Sequence, residues 1–118
     1  ATKIDMLAPA VGNFHGLVGN NPKTTASPKH IKLIKDSVKI PLVLHGGSGT
    51  TDEIFNNAII AGINIIHVNT EIRVGWRRGI DKALKNNPEE VVPYKILSGA
   101  LDEIKTIVYN RLKLFNRL

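Results

Sequence analysis

The chain has 118 residues, which allows one domain with a hydrophobic core but not several. Hydrophobic residues make up 42% and aromatic residues 5%, a composition typical of a soluble α/β protein and not of a disordered or fibrous one. There is no cysteine, which excludes disulfides and thiolate metal ligands, and the net charge is +6. A basic chain suits nucleic acid, an anionic membrane surface or a phosphorylated small molecule.

The distribution of charge and hydropathy does not favour the first two of these partners. Lysines and arginines are spread among the predicted helices with few aromatic residues between them, and no apolar run reaches about 18 residues. The first residues lack the apolar segment of a signal peptide. We therefore expect no nucleic-acid partner, no membrane span and a cytoplasmic location.

The chain begins with an apolar run, Ile4–Val11, which predicts a buried strand. Pro9 is expected at its end or at a bulge, because proline cannot donate to a β-ladder. A histidine-glycine pair, His15-Gly16, follows this strand, and residues 19–26 have the composition of a loop.

A helix is predicted from Pro28 to about Val38, with Ser27 as its N-cap. The next apolar run, Leu42–Leu44, has no polar alternation. This pattern is typical of a strand buried on both faces of a parallel sheet. The run stops at His45.

A glycine-rich stretch follows this strand: Gly46, Gly47, Ser48 and Gly49. Glycines let the backbone approach a ligand closely and expose its N–H groups, as in phosphate-binding turns. Thr50 and Glu53 have the spacing of a capping box, so a helix is predicted from about Asp52 to Ala61, with Gly62 as its stop.

A third buried strand is predicted over Ile63–Val68, interrupted by His67. Helices are then predicted from Glu71 to about Lys85 and over residues 95–115, the first of them capped by Asn69 and Thr70. Strands that alternate with helices indicate right-handed βαβ units and a parallel sheet. Three strands do not close a barrel, so the pattern indicates an incomplete fold.

Three histidines, His15, His45 and His67, fall at or near the carboxyl ends of predicted strands. In a parallel sheet or barrel these ends share one edge, and two or three neutral imidazoles there can hold Zn²⁺ with a position open for substrate. A single histidine beside glycine is more often a helix cap or a core residue, but two such pairs after strands favour a metal site. His30, on a predicted helix among lysines, is expected on the surface.

A phosphate dianion also fits this edge, because backbone N–H and hydroxyl groups meet there at helix N-termini. The residues concerned are Gly46, Gly47, Ser48, Asn69 and Thr70. Two ordinary strand-to-helix turns would use the same residue types. Three glycines in four positions exceed what a turn requires, which favours the phosphate.

Three stretches resemble the C-terminal part of class II fructose-bisphosphate aldolases: Asp5–Gly16 (DMLAPAVGNFHG), Pro41–Gly49 (PLVLHGGSG) and His67–Arg73 (HVNTEIR). The similarity covers essentially the whole chain in the right order. It implies that residues 1–118 are the C-terminal portion of an α/β fold, a (β/α)₈ TIM barrel whose N-terminal half is absent from this chain. It also implies zinc-dependent, reversible cleavage of fructose 1,6-bisphosphate to dihydroxyacetone phosphate and glyceraldehyde 3-phosphate.

By the same resemblance, His15 and His45 bind zinc, and the metal polarises the ketone of dihydroxyacetone phosphate, so no Schiff-base lysine is needed. The resemblance implies phosphate binding by Gly16, Gly46, Ser48 and Thr70 and a substrate contact at His67. With Gly47 and Asn69 from the strand-end pattern, these are the predicted substrate- and phosphate-binding residues. The family further implies a monovalent cation near the phosphate and a homo-oligomer, either a dimer or a tetramer.

The sequence departs from the family pattern at three places. His67 stands where the family commonly has an asparagine that contacts substrate, and Gly19 stands where a phosphate-binding lysine is common, with Lys23 as the nearest alternative. The family's third zinc histidine and its catalytic aspartate belong to the N-terminal half and have no counterpart here. No catalytic acid or base is therefore assigned, and the chain alone is expected to be inactive.

Other hypotheses stay open from the sequence. One is a non-catalytic phosphate-binding or interaction module derived from the same barrel, which the missing acid/base groups favour and the two histidine-glycine pairs oppose. Another is a tagatose-bisphosphate aldolase, whose substrate differs at one stereocentre. Nucleic-acid binding through the helix that carries Arg73 and Lys82 has only charge in its favour.

Overall fold

The computed structural model describes residues 3–13 and 25–116. Its elements follow in the order α1 (Pro28–Val38), β1 (Leu42–Leu44), α2 (Asp52–Ala61), β2 (Ile63–Ile66), α3 (Thr70–Asn86) and α4 (Pro93–Asn116). The chain divides into two compact units, Ala1–Asn69 and Thr70–Leu118. The first unit holds the strands with α1 and α2, and the second holds α3 and α4.

The two strands pair in parallel, as the sequence predicts, with Leu44 opposite Ile66 at the carboxyl end. All three residues of β1 are buried, which agrees with the absence of polar alternation. In β2 only Ile63 is buried, and the strand ends at Ile66, two residues before the predicted Val68. The strand ends early because its partner β1 ends at Leu44, the residue opposite Ile66.

The strand predicted over Ile4–Val11 is wrong in extent. The described part of this segment makes a single parallel bridge, Leu7 to Leu42, in which Leu7 N donates to Pro41 O and Val43 N donates to Leu7 O. Pro9 lies two residues later and has no N–H to continue the ladder. Val11 is the one residue of 4–11 that is buried, so burial does not hold the segment in a regular strand either.

Helices α1 and α2 begin and end much as predicted. Ser27 caps α1 by accepting a hydrogen bond from His30 N at 3.4 Å, and Gly62 ends α2 with φ +120°. The predicted capping box of Thr50 and Glu53 is wrong, because the N-cap of α2 is Thr51, whose hydroxyl accepts from Ile54 N at 3.4 Å. The cap falls one residue later because Asp52 is the first helical residue.

A bulge at the start of the strand pair ties the sheet to α1. The register runs from Leu42 opposite Ile63 to Val43 opposite Ile65, so Asn64 is the extra residue. Its side-chain Oδ1 accepts from Leu42 N at 3.1 Å and from Lys35 Nζ at 2.9 Å. Lys35 Nζ also donates to Ile40 O at 3.0 Å. The amide oxygen thus replaces the backbone partner that the bulge removes.

The second unit is a pair of packed helices whose contact depends on small residues. A Cβ on Gly79 would lie 2.5 Å from Gly99 O, and closer still to the Cα of Ala100. Glu71, in the first turn of α3, accepts from Arg111 of α4 through both carboxylate oxygens, at 2.9 and 3.0 Å. Helix α4 begins at Pro93, two residues before the prediction, because proline is well tolerated at the first helical position.

The Asn64 bulge generates a first prediction. Asn64→Ala leaves the buried N–H of Leu42 without its acceptor, so the free energy of unfolding should fall by about 1–3 kcal/mol. Asn64→Asp keeps an acceptor at the same place and puts a carboxylate beside Lys35, so it should retain most of the stability. Urea denaturation of both variants measures this. Equal losses in the two would contradict a role for the acceptor oxygen.

The helix contact generates a second prediction. Gly79→Ala puts a methyl group against backbone atoms that cannot rotate away, so it should destabilise the protein by about 1–3 kcal/mol or more. At Gly75 the obstructing atom is Cδ1 of Ile107, the end of a flexible side chain. Gly75→Ala should therefore change the stability of the protein little, because the cost of rotating the Ile107 side chain is offset by about 1 kcal/mol of gained helix propensity. Thermal unfolding of the two variants gives the comparison, and similar losses would contradict it.

Candidate metal and phosphate site at the strand ends

Two of the predicted site histidines lie side by side in the first unit. His45 follows β1 and His67 follows β2, and both are exposed. Their ring centroids are 4.5 Å apart and the ring planes are perpendicular. The prediction that the carboxyl ends of the strands bring these histidines to one edge therefore agrees with their placement. Parallel pairing in register is the cause.

Backbone hydrogen bonds fix His67 on both sides of its Cα atom. Its N–H donates to Leu44 O at 3.0 Å, which extends the ladder one residue past β2. Its carbonyl accepts from Gly47 N at 3.3 Å. These two partners flank His45 and Gly46 in the sequence, so the two histidines keep a fixed separation.

Residues 3–13 contribute Asn13, a site residue that the sequence did not predict. Asn13 Nδ2 donates to the carbonyl oxygen of His45 and so holds this segment against the strand end. With Ala8, Pro9, Ala10 and His45 it lines a cleft of about 470 Å³. The signal in the sequence was its position just before the first histidine-glycine pair. His15 and Gly16 lie outside the described residues, so their metal and phosphate roles stay predictions.

The glycine-rich loop turns sharply between β1 and α2. Gly46 and Gly49 have φ of +66° and +83°, which side-chain-bearing residues rarely adopt. Thr50 N donates to Gly47 O at 3.2 Å and closes the turn. Ser48 and Thr50 are buried, at 4% and 5% exposure, and the hydroxyl of Thr50 has no hydrogen-bond partner among the residues that the structure describes.

Close packing explains Gly47 better than ligand contact does. A Cβ there would meet His67 O at 3.1 Å and the buried ring of Phe55 at 3.2 Å. Its N–H already donates to His67, so in this structure that donor does not point to a phosphate. The predicted phosphate roles of Gly46, Gly47 and Ser48 stay predictions, with Gly46 the residue whose backbone is placed next to His45.

The last two predicted site residues belong to different units. Asn69 is exposed and ends the first unit, whereas Thr70 is the first residue of α3, one residue earlier than the predicted start of that helix. Within the second unit Thr70 lines a groove of about 580 Å³ with Arg73 and Trp76. A helix N-terminus and an exposed guanidinium both favour an anion. His30 is exposed on α1, as predicted.

Metal ligands in this part of the chain are few. Within residues 3–13 and 25–116, no group of three or more histidine, aspartate or glutamate side chains is placed to hold an ion. His45 offers an imidazole at an exposed strand end beside a cleft, a donor type that suits zinc. The predicted role of His45 as a zinc ligand stays a prediction.

Comparison with known proteins identifies the class of fold first. The solved YdjI aldolase from Escherichia coli K12 covers 94% of this chain at 30% identity with a TM-score of 0.71, the chain matching 38% of that structure. A fructose-bisphosphate aldolase from Campylobacter jejuni covers 92% at 18% identity and a TM-score of 0.74, matching 39% of that structure. The predicted fold class, α/β and part of a (β/α)₈ barrel, is confirmed by these aldolase barrels, and the assignment of the chain to the C-terminal part stays a prediction.

The sequence comparison gives the family. The model of class-II fructose-bisphosphate aldolases matches residues 1–117, so the chain belongs to that family. The fructose-bisphosphate aldolase of Geobacillus stearothermophilus is 37% identical over 114 residues, which is 97% of this chain and 39% of that protein. The aldolase of Ureaplasma parvum is 35% identical over 120 residues, 98% of this chain and 41% of that protein. The chain thus spans about two fifths of the relatives it matches.

Membrane insertion gains no support from the described helices. None of those in residues 3–13 and 25–116 combines the length and the apolar character needed to cross a bilayer. The predicted cytoplasmic location and homo-oligomer stay predictions.

The contact between Gly47 and His67 generates a third prediction. Gly47→Ala presses a methyl group against Phe55, which is fully buried, and against a hydrogen-bonded carbonyl, so unfolding free energy should fall by about 1–3 kcal/mol. Lys29→Ala, on the exposed face of α1, is the control and should stay within about 0.5 kcal/mol. Urea denaturation measures both. A Gly47→Ala variant as stable as the control would contradict the packing role.

Proposed function

We propose that the protein to which this chain belongs catalyses the zinc-dependent, reversible aldol cleavage of fructose 1,6-bisphosphate to dihydroxyacetone phosphate and glyceraldehyde 3-phosphate. One observation carries the proposal: a histidine at the end of a buried barrel strand opens directly into a glycine-rich turn, in a chain of the class-II aldolase family. The fructose-bisphosphate aldolase names of its relatives support the same reaction.

The proposed zinc ligands in this chain are His15 and His45. The donor chemistry fits, because neutral imidazole is a good zinc ligand and His45 lies exposed beside a cleft. When bound, zinc would supply a Lewis acid for the substrate's ketone oxygen, which stabilises the electron pair left on carbon when the C3–C4 bond breaks. Asn13 holds the segment that precedes His15 against the carbonyl of His45, which supports ligation by both histidines.

The proposed phosphate contacts come from helix and loop N–H groups. They involve Gly16, Gly46, Ser48, Asn69 and Thr70, with His67 on the substrate side of His45. Gly47, whose N–H donates to His67 O, is proposed to shape the turn and not to donate to the phosphate. Because α2 follows β1, its N-terminus favours an anion at the end of that strand. A monovalent cation near the phosphate belongs to the same proposal. The buried hydroxyl of Thr50, for which the described part of the chain provides no hydrogen-bond partner, supports a polar occupant close to this loop.

Proton transfer is assigned to the part of the relatives that this chain does not span. Cleavage requires a base that removes the proton of the C4 hydroxyl group, and we propose that the base and a further zinc ligand lie there. Residues 1–118 are accordingly proposed as the C-terminal part of the catalytic barrel, inactive when isolated. A homo-oligomer and a cytoplasmic location complete the proposal.

A fourth prediction tests this function in the whole protein at its natural length. The protein should cleave fructose 1,6-bisphosphate, lose this activity when a zinc chelator removes the metal, and regain it when Zn²⁺ is added. In His45→Ala the affinity for zinc should fall by more than the roughly 10–100-fold that is typical when a residue supporting a metal ligand is replaced. The reason is that this variant removes a direct ligand. His30→Ala, an exposed histidine outside the site, should keep both zinc and activity. Metal analysis and a coupled aldolase assay give the readouts.

The outcomes separate the alternatives. Full zinc stoichiometry in His45→Ala would contradict the ligand assignment. Preference for tagatose 1,6-bisphosphate would replace the substrate and keep the mechanism. Binding of sugar phosphate without cleavage in the whole protein would indicate a non-catalytic module. Activity of the isolated 118-residue chain would contradict the assignment of the base to the remaining part of the relatives.

A further inference from the structure

The first turn of α3 carries a carboxylate next to a proposed phosphate contact. Thr70 is the first residue of this helix and Glu71 is the second. We infer that Arg111 of α4 is a positioning residue for phosphate binding: it draws the Glu71 carboxylate onto α4 and offsets its charge, so that the end of α3 accepts a phosphate dianion. The inference rests on the proposed phosphate role of Thr70 and adds a residue that does not itself contact the substrate.

Glu71 and a phosphate compete for the same end of the helix. The N-terminus of a helix carries partial positive charge, which favours a negative side chain or a bound anion. Adjacent Cα atoms are only about 3.8 Å apart, so a dianion bound at Thr70 is a close neighbour of Glu71. Like charges at such separations repel. A phosphate therefore binds well only if the carboxylate is turned aside and its charge is offset.

The contact between Glu71 and Arg111 meets both conditions. Arg111 Nε donates to Glu71 Oε2 at 3.0 Å, and Nη2 donates to Oε1 at 2.9 Å, so both carboxylate oxygens face α4. A bidentate pair fixes the direction of a carboxylate as well as opposing its charge. The two side chains are only 26% and 19% exposed, and partial burial of this kind reduces screening by salt.

This ion pair differs from a solvated surface pair of the same unit. Lys105 and Asp102 lie three residues apart on α4, at 3.8 Å and with more than 70% of each side chain exposed. Such pairs contribute little. Glu71 and Arg111 are 40 residues apart and join the first turn of α3 to the end of α4. The pair thus has the burial and the position from which it can affect an anion at Thr70.

A purely structural clamp between the two helices makes a different prediction from charge compensation. If the pair only clamps α3 to α4, replacing either partner should have the same effect. If Arg111 offsets a charge, replacing it by a neutral residue weakens phosphate binding, whereas replacing Glu71 does not. The change in net charge beside Thr70 is the same whatever further contacts the two side chains make.

The test uses the whole, zinc-loaded protein at its natural length. The variants are Arg111→Gln, Arg111→Lys, Glu71→Gln and the double variant Glu71→Gln/Arg111→Gln. Each is measured for KM and kcat with fructose 1,6-bisphosphate, for the inhibition constant of inorganic phosphate, and for zinc content. Thermal unfolding shows how far each replacement lowers the stability. Lys105→Gln, which removes an exposed cation from α4, is the control.

In Arg111→Gln we expect KM and the inhibition constant of phosphate to rise about 5–30-fold, with kcat and zinc content near the parent values. Glu71→Gln should keep or lower both constants, although it breaks the same pair and lowers the melting temperature. The double variant should regain most of the affinity because it removes the carboxylate charge, and Arg111→Lys because it keeps the cation. Lys105→Gln should leave both constants unchanged.

Equal losses of phosphate affinity in Arg111→Gln and Glu71→Gln would overturn the inference, because the pair would then act through its geometry alone. So would an Arg111→Gln variant that is less heat-stable but binds phosphate as the parent does. In both cases an active parent protein leaves the proposed function standing. A parent that neither cleaves fructose 1,6-bisphosphate nor is inhibited by phosphate would contradict the proposed function, and the inference with it.

Discussion

The parallel ladder between β1 and β2 determines the arrangement of the first unit. A parallel pair brings the carboxyl ends of both strands to the same edge. The residues that follow the strands, His45 and His67, therefore become neighbours although they are 22 positions apart in the sequence. The ladder continues through His67 N to Leu44 O and through Gly47 N to His67 O. The same hydrogen bonds that complete the sheet thus define the positions of His45 and His67.

The sequence predicted most of the regular elements because their signals are local. Ser27-Pro28 starts α1, Gly62 ends α2, and the apolar run Leu42–Leu44 is a fully buried strand. The strand predicted around Pro9 was wrong in extent because strand formation depends on hydrogen-bond partners that hydropathy does not specify. The cap of α2 was misplaced because Thr50 and Thr51 are adjacent hydroxyl residues, and only the backbone decides which one faces the helix.

The predicted placement of candidate site residues agrees with the structure where the topology brings them together, whereas side chains that act at long range were not predicted. His45 and His67 follow from the rule that parallel strands share an edge. Asn13 and Asn64 do not follow from it. Asn13 bonds a backbone group 32 residues away and Asn64 one 22 residues away, and nothing near them in the sequence indicates these partners. The clash that excludes a side chain at Gly47 likewise depends on Phe55, which belongs to another element. Such contacts can be identified only from the three-dimensional structure.

The bulge at Asn64 lies at the amino end of the strand pair, beside Leu42 and Ile63, while the histidines lie at the carboxyl end. The polar cluster that joins α1 to the sheet through Lys35 is therefore separated from the candidate site by the length of the strands. In barrels of this class the amino-terminal face serves stability and the opposite face serves chemistry. Heat tolerance can accordingly evolve through substitutions around Asn64 that leave the residues of the candidate site, at the other end of the strands, in place.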